Sequence, residues 1–246
     1  AEFERLIKER GLEDKVTVNL VGCFGFCSQG PFVKIYPEDT LYRGVTVANV
    51  KTIIERDFIN HEIVESLLYI DPNTNTKCIK QEDIPFYQKQ VRIALHGCGE
   101  IDPVSIDEAL GYDAMKGLIK ALSMDRQDVI NEVLASGLRG RGGGGFPTGF
   151  KWSLCAPNKA DQKYVVCNAD EGDPGAFMDR SILEGDPHCI IEAMAIAGYA
   201  IGATKGYVYV RAEYPIAIQR LEIAIKQARE YGLLGKDIFG TGFNFD

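Results

Sequence analysis

Several features that mark common function classes are missing from this chain of 246 residues. It has no Lys/Arg tract and a formal net charge of −8, which argues against nucleic acid as a partner. Its three histidines are scattered and form no Ser-His-Asp or metal–histidine set that would support a hydrolase. No apolar run approaches the roughly 20 residues that a membrane-spanning helix needs. We therefore predict neither a nucleic-acid partner nor a membrane segment.

The seven cysteines have no regular disulfide spacing, and Ala1 begins an amphipathic pattern rather than a signal peptide. Both features favour a reducing compartment, so we predict a cytoplasmic protein. The length allows one large domain or two modest ones.

A glycine-rich run punctuated by cations is the most informative segment. Residues 138–152 hold six glycines, two arginines and a lysine. Glycine lets backbone N–H groups approach an anion and adopt positive φ, so the run predicts a phosphate or cofactor cradle rather than a flexible surface loop. The order Gly140-x-Gly142-x-x-Gly145 matches the dinucleotide fingerprint, but that fingerprint follows a strand. Residues 125–138 are predicted to form a helix instead.

A polar cluster follows a predicted strand about twenty residues later. Residues 163–167 have the pattern of a short buried strand, and Asn168, Asp170 and Glu171 come directly after it. Ligands of open α/β sheets bind outside the carboxyl ends of the strands. The cluster therefore predicts a binding site, with capping of the strand end as the alternative.

The remaining pattern predicts an α/β protein. In residues 1–58 we expect helices over 2–10 and 47–57 and strands over 16–21 and 31–36. Residues 59–100 are predicted to be a linker, with a short helix over 61–69. Beyond them we expect helices over 105–110, 112–122, 125–138, 190–201 and 215–231, and a second strand over 206–210. Strand-helix-strand order implies a parallel sheet.

The glycine run and the polar cluster together resemble a known family. Gly-Arg-Gly-Gly-x-Gly-Phe-Pro-Thr-Gly-x-Lys-Trp and Asn-Ala-Asp-Glu-x-x-Pro-Gly are typical of the flavin- and NADH-binding (51 kDa-type) subunit of respiratory complex I. The relatives of that subunit in soluble NAD-linked hydrogenases and formate dehydrogenases share both motifs. Both stand here almost intact, within residues 138–152 and 168–175. The resemblance covers residues 101–246, and a weaker one covers the first sixty.

The resemblance implies a site for FMN and for NAD(H) or NADP(H). The residues that it places at the flavin are Gly140, Arg141, Gly142, Gly143, Lys151, Asn168, Asp170 and Glu171. Arg141 and Lys151 would supply charge near the phosphate and the ring edge. Phe146 would stack on the nicotinamide or adenine ring, and Asp173 would lie near the adenosine ribose and favour NAD(H). Leu154 stands where relatives often carry a second stacking phenylalanine.

The segment around Cys23 and Cys27 resembles the second cysteine pair of a thioredoxin-like ferredoxin domain. A [2Fe–2S] cluster normally takes four cysteines, so the resemblance places half of the ligands upstream of Ala1. A structural or idle cysteine pair is the alternative. The resemblance also implies ubiquitin-like and [4Fe–4S] domains beyond Asp246, so we expect the chain to be a fragment.

The predicted fold is therefore α/β: a partial thioredoxin-like [2Fe–2S] ferredoxin domain over 1–58, a linker over 59–100, and a Rossmann-like parallel-sheet FMN/NAD(H)-binding domain over 101–246. The implied function is hydride exchange between NAD(P)H and FMN, with single electrons passed to iron–sulfur clusters. The fused N-terminal domain favours a soluble hydrogenase complex, with or without electron bifurcation, whose other iron–sulfur subunits are the partners. Alternatives are the flavin subunit of a formate dehydrogenase or of complex I, and a non-catalytic scaffold or electron relay.

Overall fold

The computed structural model describes all 246 residues, which divide into two compact units, Ala1–His96 and Gly97–Asp246. The first unit contains α1 (Glu2–Glu9), β1 (Val33–Ile35), β2 (Thr40–Tyr42), α2 (Val47–Ile53), β3 (Tyr69–Ile70), β4 (Lys77–Cys78) and α3 (Pro85–Gln88). The second contains α4 (Ile106–Gly111), α5 (Lys116–Leu122), α6 (Arg126–Ala135), α7 (Thr148–Cys155), β5 (Tyr164–Ala169), α8 (Met178–Gly185), α9 (Pro187–Ile201), β6 (Lys205–Val210) and α10 (Pro215–Glu230). Every helix is too short or too polar to cross a lipid bilayer.

The sheets of the first unit are two antiparallel pairs, β1 with β2 and β3 with β4. Tyr42, on β2, is fully buried. Its hydroxyl donates to the Asp57 carboxylate and accepts the Val64 N–H at 2.9 Å. Burial raises the pKa of Tyr42, and the hydrogen bond to Asp57 adds to that shift. The bond to Asp57 connects the first hairpin to the π-helical turn Ile54–Ile59, which extends α2, and the bond from Val64 connects it to the segment after that turn.

Two local predictions for the first unit are wrong. Residues 16–21 form no strand, and the sheets of the first unit pair other segments. Their alternation instead reflects side-chain packing, since Val16 and Val18 lie against the cluster of α1 and α2. The predicted helix over 61–69 is reduced to one 3-10 turn, Glu65–Leu67, and β3 begins at Tyr69.

Residues beyond 59, for which the sequence predicted a linker, take part in the packing of the first unit up to His96. Cys78, Ile84 and Tyr87 form a buried cluster with Phe24. The Tyr87 hydroxyl also donates to the Phe24 carbonyl at 3.0 Å. This cluster lies beside the loop that carries Cys23 and Cys27.

The second unit is built around a parallel strand pair and a long buried helix. β5 and β6 pair in parallel from Tyr164 opposite Lys205 to Ala169 opposite Val210, which confirms the predicted parallel sheet and the α/β class. Helix α9 lies between the two strands in sequence. It begins at Pro187, and the Asp186 carboxylate caps its start by accepting the Cys189 N–H at 3.1 Å. It ends at Gly202, whose φ of 77° lies in the left-handed region. The Rossmann-like and thioredoxin-like arrangements stay predictions.

β5 is not buried on both faces as the sequence predicted. Val165 and Cys167 pack against the core of the second unit, whereas Tyr164 and Val166 are 53% and 63% exposed on the opposite face. A run of apolar residues does not reveal whether both faces of a strand are covered. The strand prediction is therefore right in position and wrong in burial.

Candidate functional site

The glycine run forms a closed loop between α6 and α7. The Gly140 N–H donates to the Phe146 carbonyl at 2.9 Å, and the Thr148 N–H donates to the Leu138 carbonyl at 2.9 Å. The Arg139 guanidinium donates to the Gly145 carbonyl at 3.1 Å. These bonds hold the base of the loop, so its tip is presented from a fixed stem.

The tip of the loop offers a row of unpaired donors. The backbone N–H groups of residues 141–145 make no hydrogen bond within the chain. Gly143 and Gly145 have φ of 94° and 60°, a region that side chains rarely adopt. Only open space lies beside the glycines at 142–145. Successive free N–H groups in such a turn form a concave site suited to an anion.

Two cations beside the loop lack acidic partners. Arg141, in the tip, and Lys151, in the first turns of α7, are exposed, and neither forms a salt bridge. The amino terminus of α7 lies directly after the loop, and its partial positive charge adds to theirs. The loop, both side chains and the helix end therefore give this region a positive potential that fits a phosphate group.

The polar cluster lies at the carboxyl end of β5, as the sequence predicted. The Asn168 side-chain oxygen accepts the Asp170 N–H at 3.2 Å, which forms a tight turn. Asn168, Asp170 and Asp173 are all exposed. The Asn168 side-chain nitrogen and the carboxylates of Asp170 and Asp173 can therefore bind hydroxyl groups of a ligand.

Glu171 differs from its neighbours because it is buried and its carboxylate is occupied. It accepts the backbone N–H groups of Met178 at 2.6 Å and of Asp179 and Arg180 at 3.3 Å. These are donors of the first turn of α8, which otherwise lack a partner. From the sequence, capping of the strand end is the alternative to a binding site. Glu171 does act as a cap, but it caps the start of helix α8.

Two residues that sequence reasoning missed complete this arrangement. The Tyr214 hydroxyl donates to Glu171 at 3.1 Å, and the Arg211 guanidinium donates to the Glu171 backbone carbonyl. Burial raises the pKa of Tyr214, and the hydrogen bond to Glu171 raises it further. Burial also raises the pKa of Asp179, with the Glu171 carboxylate as the second cause. The sequence could have indicated both residues. They follow the predicted strand β6, whose carboxyl end lies at the same edge of the sheet as that of β5.

The glycine loop and the polar cluster both lie in the second unit, and no hydrogen bond or ion pair joins one to the other. Phe146 lies at the end of the loop and is 51% exposed. Its ring centroid is 5.8 Å from that of Phe150, at an interplanar angle of 34°. The predicted flavin and nucleotide residues are thus exposed, apart from Glu171, which is buried.

Cys23 and Cys27 lie together in the first unit. Their sulfur atoms are 3.5 Å apart, and the Gly25 N–H donates to the Cys23 sulfur at 3.3 Å. Two sulfurs on one tetrahedral metal, each at about 2.3 Å, would be about 3.8 Å apart. The observed separation of 3.5 Å is close to that value. No group of three or more His, Cys, Asp or Glu side chains in the structure could hold a metal.

Part of this chain is similar in sequence to known proteins. Residues 133–239 match the family described as Nuo51 FMN-binding domain. The chain is 64% identical to the NADP-reducing hydrogenase subunit HndC of Solidesulfovibrio fructosivorans over 159 residues, which are 65% of this chain and 32% of the relative. It is 51% identical to an NADH-quinone oxidoreductase subunit of Rhizobium meliloti (strain 1021) over 135 residues, which are 55% of this chain and 32% of that relative.

The chain thus spans about a third of the length of these relatives. A crystal structure of NAD+-reducing [NiFe]-hydrogenase in the H2-reduced state aligns with 92% of this chain and 37% of its own. Its sequence identity to this chain is 27% and its TM-score is 0.46. The glycine loop, the polar cluster and the parallel strands all lie within residues 133–239, the segment that matches the FMN-binding domain family. Residues 133–239 of this chain are thus similar to the Nuo51 FMN-binding domain.

Proposed function

We propose that the second unit binds FMN and that the protein is a subunit of an oxidoreductase in which NAD(P)H and FMN exchange a hydride. One observation carries the proposal. A row of unpaired backbone N–H groups lies beside two cations without acidic partners, inside the segment that matches an FMN-binding family. An anionic, phosphate-bearing cofactor satisfies all of these groups at once.

In this proposal the loop holds the phosphate side of FMN. The backbone at Gly140, Gly142 and Gly143 approaches the cofactor, and the open space beside the tip leaves room for it. Arg141 supplies a guanidinium that can form two parallel hydrogen bonds, and Lys151 supplies a compact charge. Because neither cation has an acidic partner in the chain, neither has to break an ion pair to bind.

The polar cluster would bind hydroxyl groups. Asn168 and Asp170 are exposed at the strand end and are proposed to contact the ribityl chain or the ring of FMN. Glu171 is proposed to belong to the site by fixing the start of α8, because its carboxylate is already occupied. Phe146 and Asp173 are proposed to contact the nucleotide ring and the adenosine ribose of NAD(H).

When bound, FMN would supply the chemistry of hydride acceptance and of release as single electrons. The chain would hold it, orient the nicotinamide against it and position the charges around it. Cys23 and Cys27 are proposed to ligate one iron of a [2Fe–2S] cluster that receives electrons, with two further cysteines supplied from outside this chain. The 3.5 Å sulfur separation supports that assignment.

A cytoplasmic, soluble hydrogenase complex with other iron–sulfur subunits is the proposed setting. The 64% identity to a subunit of an NADP-reducing hydrogenase supports this setting. The respiratory alternative has weaker support, at 51% identity. A scaffold or electron relay without flavin chemistry is excluded if the site takes up FMN and exchanges electrons with NADH.

The test is an anaerobic titration of the FMN-loaded protein with NADH, followed through the flavin absorption bands. We expect the oxidised bands to bleach stoichiometrically and to return when an electron acceptor is added. Bound FMN that NADH does not reduce would support the relay alternative, and absence of any FMN binding would contradict the proposal entirely.

A further inference from the structure

Three residues separate the two cysteines of the first unit, and two of the three are held by the short helix α3. The Tyr87 hydroxyl donates to the Phe24 carbonyl at 3.0 Å, across 63 positions of sequence, and both residues are buried. The Phe26 ring stacks on the Phe86 ring, with the centroids 4.3 Å apart and the planes inclined by 14°. We call Phe86 and Tyr87 the aromatic clamp.

The Phe26 ring has further aromatic neighbours besides Phe86. Its centroid lies 6.1 Å from that of Tyr87 in an edge-to-face arrangement, 5.7 Å from that of Tyr69 and 6.4 Å from that of Phe32. Stacked and edge-to-face pairs at these separations are the favourable arrangements of aromatic rings. The residue directly before Cys27 is therefore fixed by contacts that come from outside the loop.

Gly25, the third residue between the cysteines, makes the turn that brings the sulfur atoms together. Its φ of 84° lies in the left-handed region that favours glycine, and its N–H donates to the Cys23 sulfur at 3.3 Å. The sulfurs of Cys23 and Cys27 are 3.5 Å apart. Because the residues on both sides of Gly25 are held by the aromatic clamp, the turn and the sulfur separation depend on the clamp.

The aromatic clamp lies within residues 59–100, for which the sequence predicted a linker. It nevertheless contacts the loop between two proposed metal ligands. Groups outside a coordination sphere that hold the ligands in place strengthen metal binding, because the ligands lose less freedom when the metal binds. The contacts of the clamp therefore give this segment a role in the cysteine site.

We propose that Phe86 and Tyr87 are positioning residues of the cysteine pair, which keep the sulfurs of Cys23 and Cys27 at a separation that one metal ion can bridge. Tyr87 acts through its hydrogen bond to the loop backbone, and Phe86 acts through its stack on the loop ring. The inference rests on the proposed role of the cysteines as ligands of one iron.

The experiment measures the affinity of the reduced 246-residue chain for Cd2+, a soft cation that prefers thiolate ligands, through the ultraviolet absorption of the cadmium–thiolate bond. Tyr87→Phe keeps the ring and removes the hydroxyl, Phe86→Leu removes the ring, and Phe86→Tyr keeps it. Tyr231→Phe is the matched control, since it removes a tyrosine hydrogen bond, to Asp107 at 2.7 Å, in the second unit. Cys27→Ser gives the background from the other cysteines, and circular dichroism checks that each variant is folded.

We expect Tyr87→Phe and Phe86→Leu each to weaken Cd2+ binding by about three- to tenfold, in line with the loss of one hydrogen bond or one aromatic contact. Phe86→Tyr and Tyr231→Phe should stay within about twofold of the wild type.

Unchanged affinity in both Tyr87→Phe and Phe86→Leu would overturn the positioning role and leave the proposed function standing. A change in only one of them would remove the other residue from the clamp. Equal weakening in Tyr231→Phe would assign the effect to general stability and overturn the inference. A wild type that binds Cd2+ no better than Cys27→Ser would overturn the proposed ligand role of the cysteines together with the inference, and leave the FMN proposal untouched.

Discussion

The Tyr214 hydroxyl donates to the Glu171 carboxylate at 3.1 Å, from the segment after β6 to the segment after β5. The two residues are 43 positions apart in sequence, so the bond joins the carboxyl ends of two parallel strands. Because the same carboxylate also accepts the first N–H groups of α8, one buried side chain links β5, β6 and a helix. The arrangement of the sheet end at which we propose that the cofactor binds therefore depends on Glu171.

Glu171→Ala should destabilise the second unit by about 2–3 kcal/mol. The substitution leaves several N–H donors at the start of α8 without a partner and removes the acceptor of Tyr214. Urea unfolding followed by circular dichroism measures the change. Glu213→Ala is the control, since Glu213 forms only an exposed ion pair with Arg211 and should cost less than about 1 kcal/mol. Equal effects of the two changes would show that Glu171 does not organise this end of the sheet.

Stability should decrease as the pH falls below the ordinary pKa of histidine, because of His188. Its ring is fully buried and neither nitrogen makes a hydrogen bond of normal geometry. Burial lowers the pKa of His188 from 6.5, and the nearby Asp186 carboxylate only partly opposes that shift. Between the lowered pKa and 6.5 the unfolded chain binds a proton that the folded chain excludes, so acidification favours unfolding.

The size of this effect approaches about 1.4 kcal/mol per pH unit where only the unfolded state is protonated. Unfolding free energies measured from about pH 7 down to about pH 5 test it. His188→Leu should flatten the slope, and His61→Asn, at an exposed histidine, should leave it unchanged. An identical slope in His188→Leu would mean that other groups cause the acid sensitivity.

The helices around the site could be predicted from the sequence, and the interactions between distant segments could not. Pro215, the apolar spacing after it and Gly232 are local signals, and they predict α10 well. Residues 16–21 alternate like a strand, but a strand also needs a neighbour, which no local pattern reports. The same limit applies to Glu171, whose partners come from α8 and from Tyr214.

Asp173→Asn should narrow the preference for NAD(H) over NADP(H). Asp173 is exposed beside the polar cluster, and a carboxylate there would accept from the ribose 2′-hydroxyl and repel a 2′-phosphate. Because water screens this charge, we expect the Asp173 carboxylate to contribute about a three- to tenfold difference between the kcat/KM values for NADH and NADPH. Steady-state kinetics with both nucleotides measures it, with Asp161→Asn as the control. A ratio that does not respond to Asp173→Asn places the discrimination elsewhere.

Cys23→Ser and Cys27→Ser should each abolish the [2Fe–2S] cluster in a form of the protein that holds all four ligands. Serine keeps the size of the side chain but replaces the thiolate, and each sulfur of the 3.5 Å pair is needed for the same iron. Iron content and the electron paramagnetic resonance signal after reduction measure the loss. Cys155→Ser, in the second unit, should change neither. Full iron content in Cys23→Ser would support a structural role for the pair.

The most direct test of the account is a titration of the protein with FMN, followed by flavin fluorescence, in the wild type, Lys151→Ala and Lys159→Ala. We predict one FMN bound per wild-type chain. Loss of the charged contact from Lys151 should weaken binding by about 10- to 100-fold, which corresponds to roughly 1.5–3 kcal/mol. Lys159, equally exposed and without an acidic partner but outside the loop, should have little effect. Equal FMN affinity in Lys151→Ala and wild type, or no binding by the wild type, would contradict the assignment of the glycine loop as the flavin site.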